Sequence, residues 1–201
     1  MKHSLVRDGM AAGMAAVVSA VMSGVAASPA LAGGGVQNLA LGRDVSLVSG
    51  VSNGAALSTL TDGMFRPAGT QWQNGTVWWN GTGSVFEIDL GGTVEVMGAI
   101  VQADNNDTYR MWYRDLGTGN YLELWTIGAV GGAGMRTRPN AADSSQILFF
   151  DASVFTDSIR IGAIGGDSSY SLGEVQAWGV PAPGAFALLG LAGLRAGRRR
   201  R

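Results

Sequence analysis

The sequence predicts an all-β domain, a sandwich or jelly roll, filling most of a 201-residue chain. Three observations predict it. Between residues 36 and 179 the apolar residues fall in short runs with a period of two, and no stretch holds a helical period. The runs are rich in β-branched and aromatic residues and are bounded by Gly, Asn or Asp. The chain has 32 glycines and no cysteine, so turns are plentiful, while a disulfide scaffold, thiolate metal sites and a thiol nucleophile are excluded. About eight strands at this spacing suit a sandwich or jelly roll.

Residues 1–32 have the pattern of a secretory signal. Lys2 and Arg7 give a positive start, residues 10–27 are apolar and rich in Ala, and Ala30-Leu31-Ala32 follows Pro29 as a small-residue cleavage site. The apolar run is near the minimum for a membrane span but poor in leucine, which favours cleavage over anchoring. The domain then occupies residues 33–179. Its strands are expected at 45–48, 85–90, 94–101, 109–114, 121–127, 147–150, 158–163 and 172–178. Asn74-Gly75 and Asn80-Gly81 are expected to form tight turns on either side of Trp78-Trp79. Residues 180–201 form a separate tail. Val180-Pro181-Ala182-Pro183 stops the last strand, an apolar segment follows, and Arg195 and four terminal arginines end the chain. That segment, at ~1.5 Å per residue, covers only about half of a ~30 Å hydrocarbon core. It fits a processing signal with transient membrane contact, built as a short apolar helix, better than a permanent span.

Charge narrows the function classes. Residues 33–179 hold seven arginines and no lysine against fourteen Asp and Glu, a net charge of −7. An acidic body without lysine is a poor phosphate binder, so nucleic acid is not an expected partner. The one histidine, His3, lies in the leader. The mature domain thus lacks the imidazole that Ser-His catalysis and His-ligated zinc require.

Several stretches carry candidate chemistry. Leu60-Thr61-Asp62-Gly63 places a carboxylate before a glycine able to turn with φ > 0. Asp62, the Thr70 hydroxyl and backbone carbonyls between them make an oxygen-rich set suited to a hard cation such as calcium, with Glu174 on the last strand as a second carboxylate. The plain alternative is an Asx turn in which Asp62 bonds its own backbone. Asp104, Asn105, Asn106 and Asp107 crowd one inter-strand turn and suit sugar hydroxyls, a second cation or simple turn capping. Arg136 and Arg138 lie in a Gly-rich connection spanning residues 128–145. Their guanidinium forks suit a carboxylate or an acidic sugar, or else answer the acidic surface. Trp78 or Trp79 offers a platform for a sugar ring. Neighbours on a strand face opposite ways, so at most one of the two is free. Glu87 and Asp89 share a strand face and could mimic a glycosidase pair, although simple alternation explains the spacing.

The domain resembles the discoidin, or coagulation-factor type C, family of galactose-binding-like domains. The residues that carry the resemblance, in order, are Asn38-Leu39-Ala40-Leu41-Gly42, Leu60-Thr61-Asp62-Gly63, Thr70-Gln71-Trp72, Phe86-Glu87-Ile88-Asp89-Leu90-Gly91, Ser158-Ile159-Arg160-Ile161 and Leu172-Gly173-Glu174-Val175-Gln176-Ala177-Trp178-Gly179. Each piece is short; the ordered set is specific. The resemblance implies a jelly-roll β-sandwich that binds carbohydrate, with a structural calcium held by Asp62, Thr70 and Glu174. The tail resembles the PEP-CTERM sorting signal of exported bacterial proteins. This implies an exosortase-type processing enzyme as a partner and a place in the cell envelope, on the cell surface or in the extracellular matrix. The motif here is Pro181-Ala182-Pro183, with alanine where that family has glutamate, and the apolar segment is short.

The expected function is therefore a non-catalytic carbohydrate-binding module of an exported surface or matrix protein, with glycan or exopolysaccharide as its partner. The alternatives are a structural matrix protein without a specific small ligand and a carboxylate-based glycoside hydrolase.

Overall fold

The computed structural model describes residues 35–181. The leader and the tail beyond Pro181, including Ala182 and Pro183, lie outside the described residues. Among those described, no helix is long and apolar enough to cross a membrane.

The chain is all-β, as the alternation predicts. Among the described residues ten strands follow in order: β1 (Gln37–Asn38), β2 (Val45–Ser49), β3 (Asn53–Gly54), β4 (Val77–Asn80), β5 (Val85–Asp104), β6 (Thr108–Arg114), β7 (Tyr121–Ile127), β8 (Met135–Arg138), β9 (Leu148–Gly165) and β10 (Ser169–Pro181). A single 3₁₀ turn, Leu57–Leu60, precedes the first candidate loop. Every pairing is antiparallel, and the main path runs β3-β4-β10-β5-β9-β6-β7, with β1 on β10 and both β2 and β8 on β5.

Two long strands make this a jelly roll. The first half of β5 pairs with β2 and the end of β9; its second half pairs with β10, β8 and the start of β9. Each half thus belongs to a different layer. The expected strands 85–90 and 94–101 are one continuous strand in the structure, bent where the β9 register jumps between Asp89 and Val94. Gly91 and Gly92 sit at that bend, both with positive φ, and a bulge there bends the strand without ending it. Likewise 147–150 and 158–163 join in β9.

Side chains from both layers meet in the core. Trp79 has no exposed surface and packs edge-on against Phe86 at 5.0 Å and Tyr109 at 6.3 Å, with Tyr170 at 5.9 Å. Phe86, Ile88 and Leu90 point inward from β5, and Ile159 and Ile161 from β9, while Glu87 and Arg160 face out. The last strand runs on through Val180 and Pro181, which pair with Glu95 and Val94, so the proline closes the strand from within its final position, where no N–H is needed.

Strand β8 was not expected. Met135–Arg138 sits in the Gly-rich connection and shows no apolar alternation, yet it pairs with residues 101–104 of β5. Arg138 is only 2% exposed because its guanidinium donates to the carbonyls of Ala103, Asp104, Asn105, Gly128 and Arg136. Hydrogen bonding of a buried cation to five carbonyls replaces the apolar pattern that ordinarily marks a strand.

Candidate functional site

The loop at residues 60–72 is sewn to the sheet at three places. At its start Leu60 is fully buried and the Thr61 hydroxyl donates to Arg43 O at 2.8 Å. Asp62 follows, exposed, with Oδ1 accepting the Met64 N–H at 2.8 Å. This is the Asx turn weighed as the plain alternative. Gly63 turns with φ +78°, and its N–H donates to Glu174 Oε1 at 3.1 Å. In mid-loop the Arg66 backbone forms a two-way bond with the Gln102 side chain, N–H to Oε1 at 2.7 Å and Nε2 to O at 2.8 Å. At the far limb Gly69 N–H donates to Met135 O, and Met135 N–H to Thr70 O.

Asp62 and Glu174 thus come together although 111 residues separate Gly63 from Glu174. Glu174 is fully buried. Its Oε1 also accepts from Gln176 Nε2 at 3.2 Å, and Gln176 Oε1 accepts from Trp178 Nε1 at 3.0 Å, a relay along one face of β10. Oε2 is buried with no hydrogen-bond partner. Burial pushes the Glu174 carboxyl up to about 8, and the Asp62 carboxylate beside it pushes the same way, against the bonds from Gln176 and Gly63. Asp62 has one counter-charge, Arg66, at 3.7 Å.

These residues fit a hard cation in chemistry. The carboxylates of Asp62 and Glu174 offer oxygen donors, one of them a buried oxygen without a partner, whereas the Thr70 hydroxyl donates within its own loop, to Pro67 O at 2.7 Å. Among the described residues no three of His, Cys, Asp and Glu converge. A cation here would rest on two carboxylates and neutral oxygens.

A second polar cluster lies at the end of the sandwich where β5, β6, β8, β9 and β10 meet. The structure sorts the residues expected there. Asp107 is fully buried and Asp104 nearly so, so both face inward. Asp107 Oδ1 accepts Asp167 N–H at 3.2 Å, and Tyr109 OH approaches Oδ2 at 3.3 Å while donating to Ser171 O at 3.0 Å. Burial raises Asp107 to about 6, helped by nearby Asp167 and Asp104, and it raises Asp104 as well. Both acids are turned inward and brace the turn. Asn105 donates to Gly132 O at 2.9 Å and exposed Asn106 to Asp167 Oδ2 at 2.8 Å. These bonds join the 105–107, 128–134 and 166–168 loops. Arg138 is committed to backbone carbonyls, as described above. Arg136 is half-buried beside them.

Trp79 is a core residue and cannot serve as a platform. Trp78 is half-buried, set edge-on to Trp72 at 5.5 Å and close over Gly54, where a Cβ would lie 2.6 Å from Cδ1. Glu87 holds Arg160 at 2.7 Å and Tyr121 OH at 2.7 Å, an ion-paired arrangement on the outer sheet face, and Asp89 Oδ1 accepts Gly91 N–H.

Solved structures place this fold. The lectin domain of lectinolysin, complexed with Lewis B antigen, matches with a TM-score of 0.50 at 15% identity over 70% of this chain and 95% of that one. An F-lectin from striped bass (Morone saxatilis) serum matches at 0.50 and 13% identity, over 73% of this chain and 50% of that one. The family 32 carbohydrate-binding module of C. perfringens NanJ, in complex with galactose, matches at 0.47 and 15% identity, over 67% and 92%. The chain spans 28% of the longer SpGH29. No family model and no curated protein matches the sequence. The fold is a jelly roll, shared with these lectin structures.

One residue that organises these loops went unread in the sequence, and the sequence left open which end of the domain a second, in the 165–170 stretch, would line. Gln102 stands at an inward position of β5 between Val101 and Ala103, and it carries the middle of the 60–72 loop. A lone amide in an apolar run was the available signal. Asp167 joins two loops through its backbone and side chain, and only the fold brings it to Asp107.

Proposed function

We propose that this chain is a non-catalytic carbohydrate-binding module of an exported bacterial surface or matrix protein, with a structural calcium at Asp62 and Glu174. One observation carries the reading. On a jelly roll of the kind used by lectins and carbohydrate-binding modules, three loops are hydrogen-bonded into one polar end that displays Asn105, Asn106 and Arg136. Such an end suits hydroxyl-rich ligands. One shallow polar site gives weak affinity, raised by avidity when many copies are displayed.

Calcium, when bound, would supply the positive charge that the buried Glu174 oxygen lacks and add to the one Arg66 gives Asp62. The chain's own residues do the rest. Asp62 and Gly63 hold the loop against β10, and Gln102 fixes its middle. The orphaned Oε2 supports this part of the reading. The Pro181-Ala182-Pro183 motif and the terminal arginines support handling by an exosortase-type enzyme and an envelope or matrix location. A glycan array probed with the 201-residue chain, in calcium and in chelator, tests the binding. Saturable retention of at least one glycan is expected; retention of none would favour a purely structural matrix role.

A further inference from the structure

Arg136 stands apart from the other six arginines of the domain. Four of those form ion pairs: Arg66 with Asp62, Arg110 with Glu123, Arg114 with Asp157 and Arg160 with Glu87. Arg138 is spent on carbonyls, and Arg43 donates to Leu39 O at 3.2 Å. Arg136 joins no ion pair among the described residues, and its Nε, like those of Arg66 and Arg110, is buried without a hydrogen-bond partner. In a domain with twice as many acids as bases, an arginine that merely answered the acidic surface would have found a carboxylate.

The surroundings of Arg136 are built close. Residue 132, with φ +108°, passes directly over the guanidinium, and a Cβ there would lie 2.7 Å from both Nε and a terminal nitrogen. Only glycine fits. Gly69 lies on the 60–72 loop, and a Cβ there would lie 3.9 Å from the same terminal nitrogen. Two loops, each tied down by its own hydrogen bonds, thus hold one unpaired cation against Gly132, whose carbonyl accepts from Asn105. An unpartnered buried donor costs stability, and a planar fork of N–H groups matches a carboxylate in two parallel bonds.

We propose that Arg136 determines ligand specificity at this loop end and that the ligand is a carboxylate-bearing sugar, of the uronic or sialic type. The inference rests on the carbohydrate-binding reading above and names the sugar class for the same end. Asn105 and Asn106 then meet ring hydroxyls while Arg136 takes the acid group.

The test uses the 201-residue chain and three probes of equal length: an oligogalacturonate, a neutral galacto-oligosaccharide and a sulfated galacto-oligosaccharide. Titration calorimetry compares the native chain with Arg136→Gln, Arg136→Lys and Arg110→Gln. The native chain should prefer the uronate. Arg136→Gln should weaken uronate binding about tenfold or more and leave the neutral probe unchanged. Arg136→Lys should recover part of the loss, and Arg110→Gln should behave as native. Uronate affinity unchanged in Arg136→Gln overturns the proposal, as does a native preference for the neutral or the sulfated probe. If no probe binds, the uronate proposal is overturned, and the glycan array decides whether the carbohydrate reading falls with it. Should Arg136→Gln fail to fold, the native chain decides alone: preference for the uronate over its neutral counterpart sustains the proposal and equality overturns it.

Discussion

Substitution Glu174→Gln removes the ionisable group from the centre of the loop anchor and keeps its shape. The folded carboxyl sits near 8, against an ordinary 4.5. A carboxylic acid whose folded value is raised contributes its stability below 4.5, and that stability is lost as pH climbs through 8. Without metal, the native chain should therefore weaken steadily between pH 4.5 and 8. At pH 7.5 the loss attributable to this group is on the order of 4 kcal/mol, from about 1.4 kcal/mol per pH unit. For a domain of this size that is roughly 8–16 °C in midpoint. The amide in Glu174→Gln can still accept from Gly63 N–H and carries no charge, so its pH slope over the same window should be much flatter. Thermal melts from pH 4 to 9 in chelator, for both proteins, measure this. Parallel pH profiles would refute the reasoning, because the buried charge at Glu174 would then not control the anchor. The same melts with added calcium should stabilise the native chain most above pH 7, where the cation replaces a proton, and should not move Glu174→Gln.

Other outcomes follow from the same geometry. Asp107→Asn should flatten a second pH dependence, between 3.8 and about 6, because burial raises that carboxyl in the folded state; acid-range melts check it. Trp79→Ala should cost about 3–5 kcal/mol of stability, since it empties the aromatic cluster with Phe86, Tyr109 and Tyr170; urea unfolding measures it. Arg138→Ala should cost a similar amount by stranding the carbonyls of Ala103, Asp104 and Asn105. Arg160→Ala breaks the Glu87 pair and the stacking on Tyr121 at 3.6 Å. Both partners are partly exposed, so about 1 kcal/mol or less is expected from the ion pair.

The sequence made the fold class and one half of the site legible. Alternation placed Phe86, Ile88 and Leu90 inside and Glu87 outside, and the Asp62-Gly63 turn behind Leu60 is where it was expected. The partnership of Gly63 with Glu174 was also open to inference, because an ordered set of short motifs linked the two. Strand β8 was not legible, since its interior position depends on Arg138 finding five carbonyls, and no local pattern encodes that. The Asp104, Asn105, Asn106 and Asp107 turn was read by composition alone. Composition cannot tell an acid that faces a ligand from one that braces a loop, and the structure turns both acids inward. Trp78 and Trp79 differ by one residue and by the whole thickness of the sheet.

The central claim is that this jelly roll binds glycan without turning it over. The most direct measurement incubates the 201-residue chain with an array-selected oligosaccharide, reading binding by calorimetry and the sugar afterwards by mass spectrometry. Saturable binding with the oligosaccharide recovered intact is the predicted result. Cleavage of the sugar, or no measurable binding at millimolar concentration to any glycan tried, would contradict it.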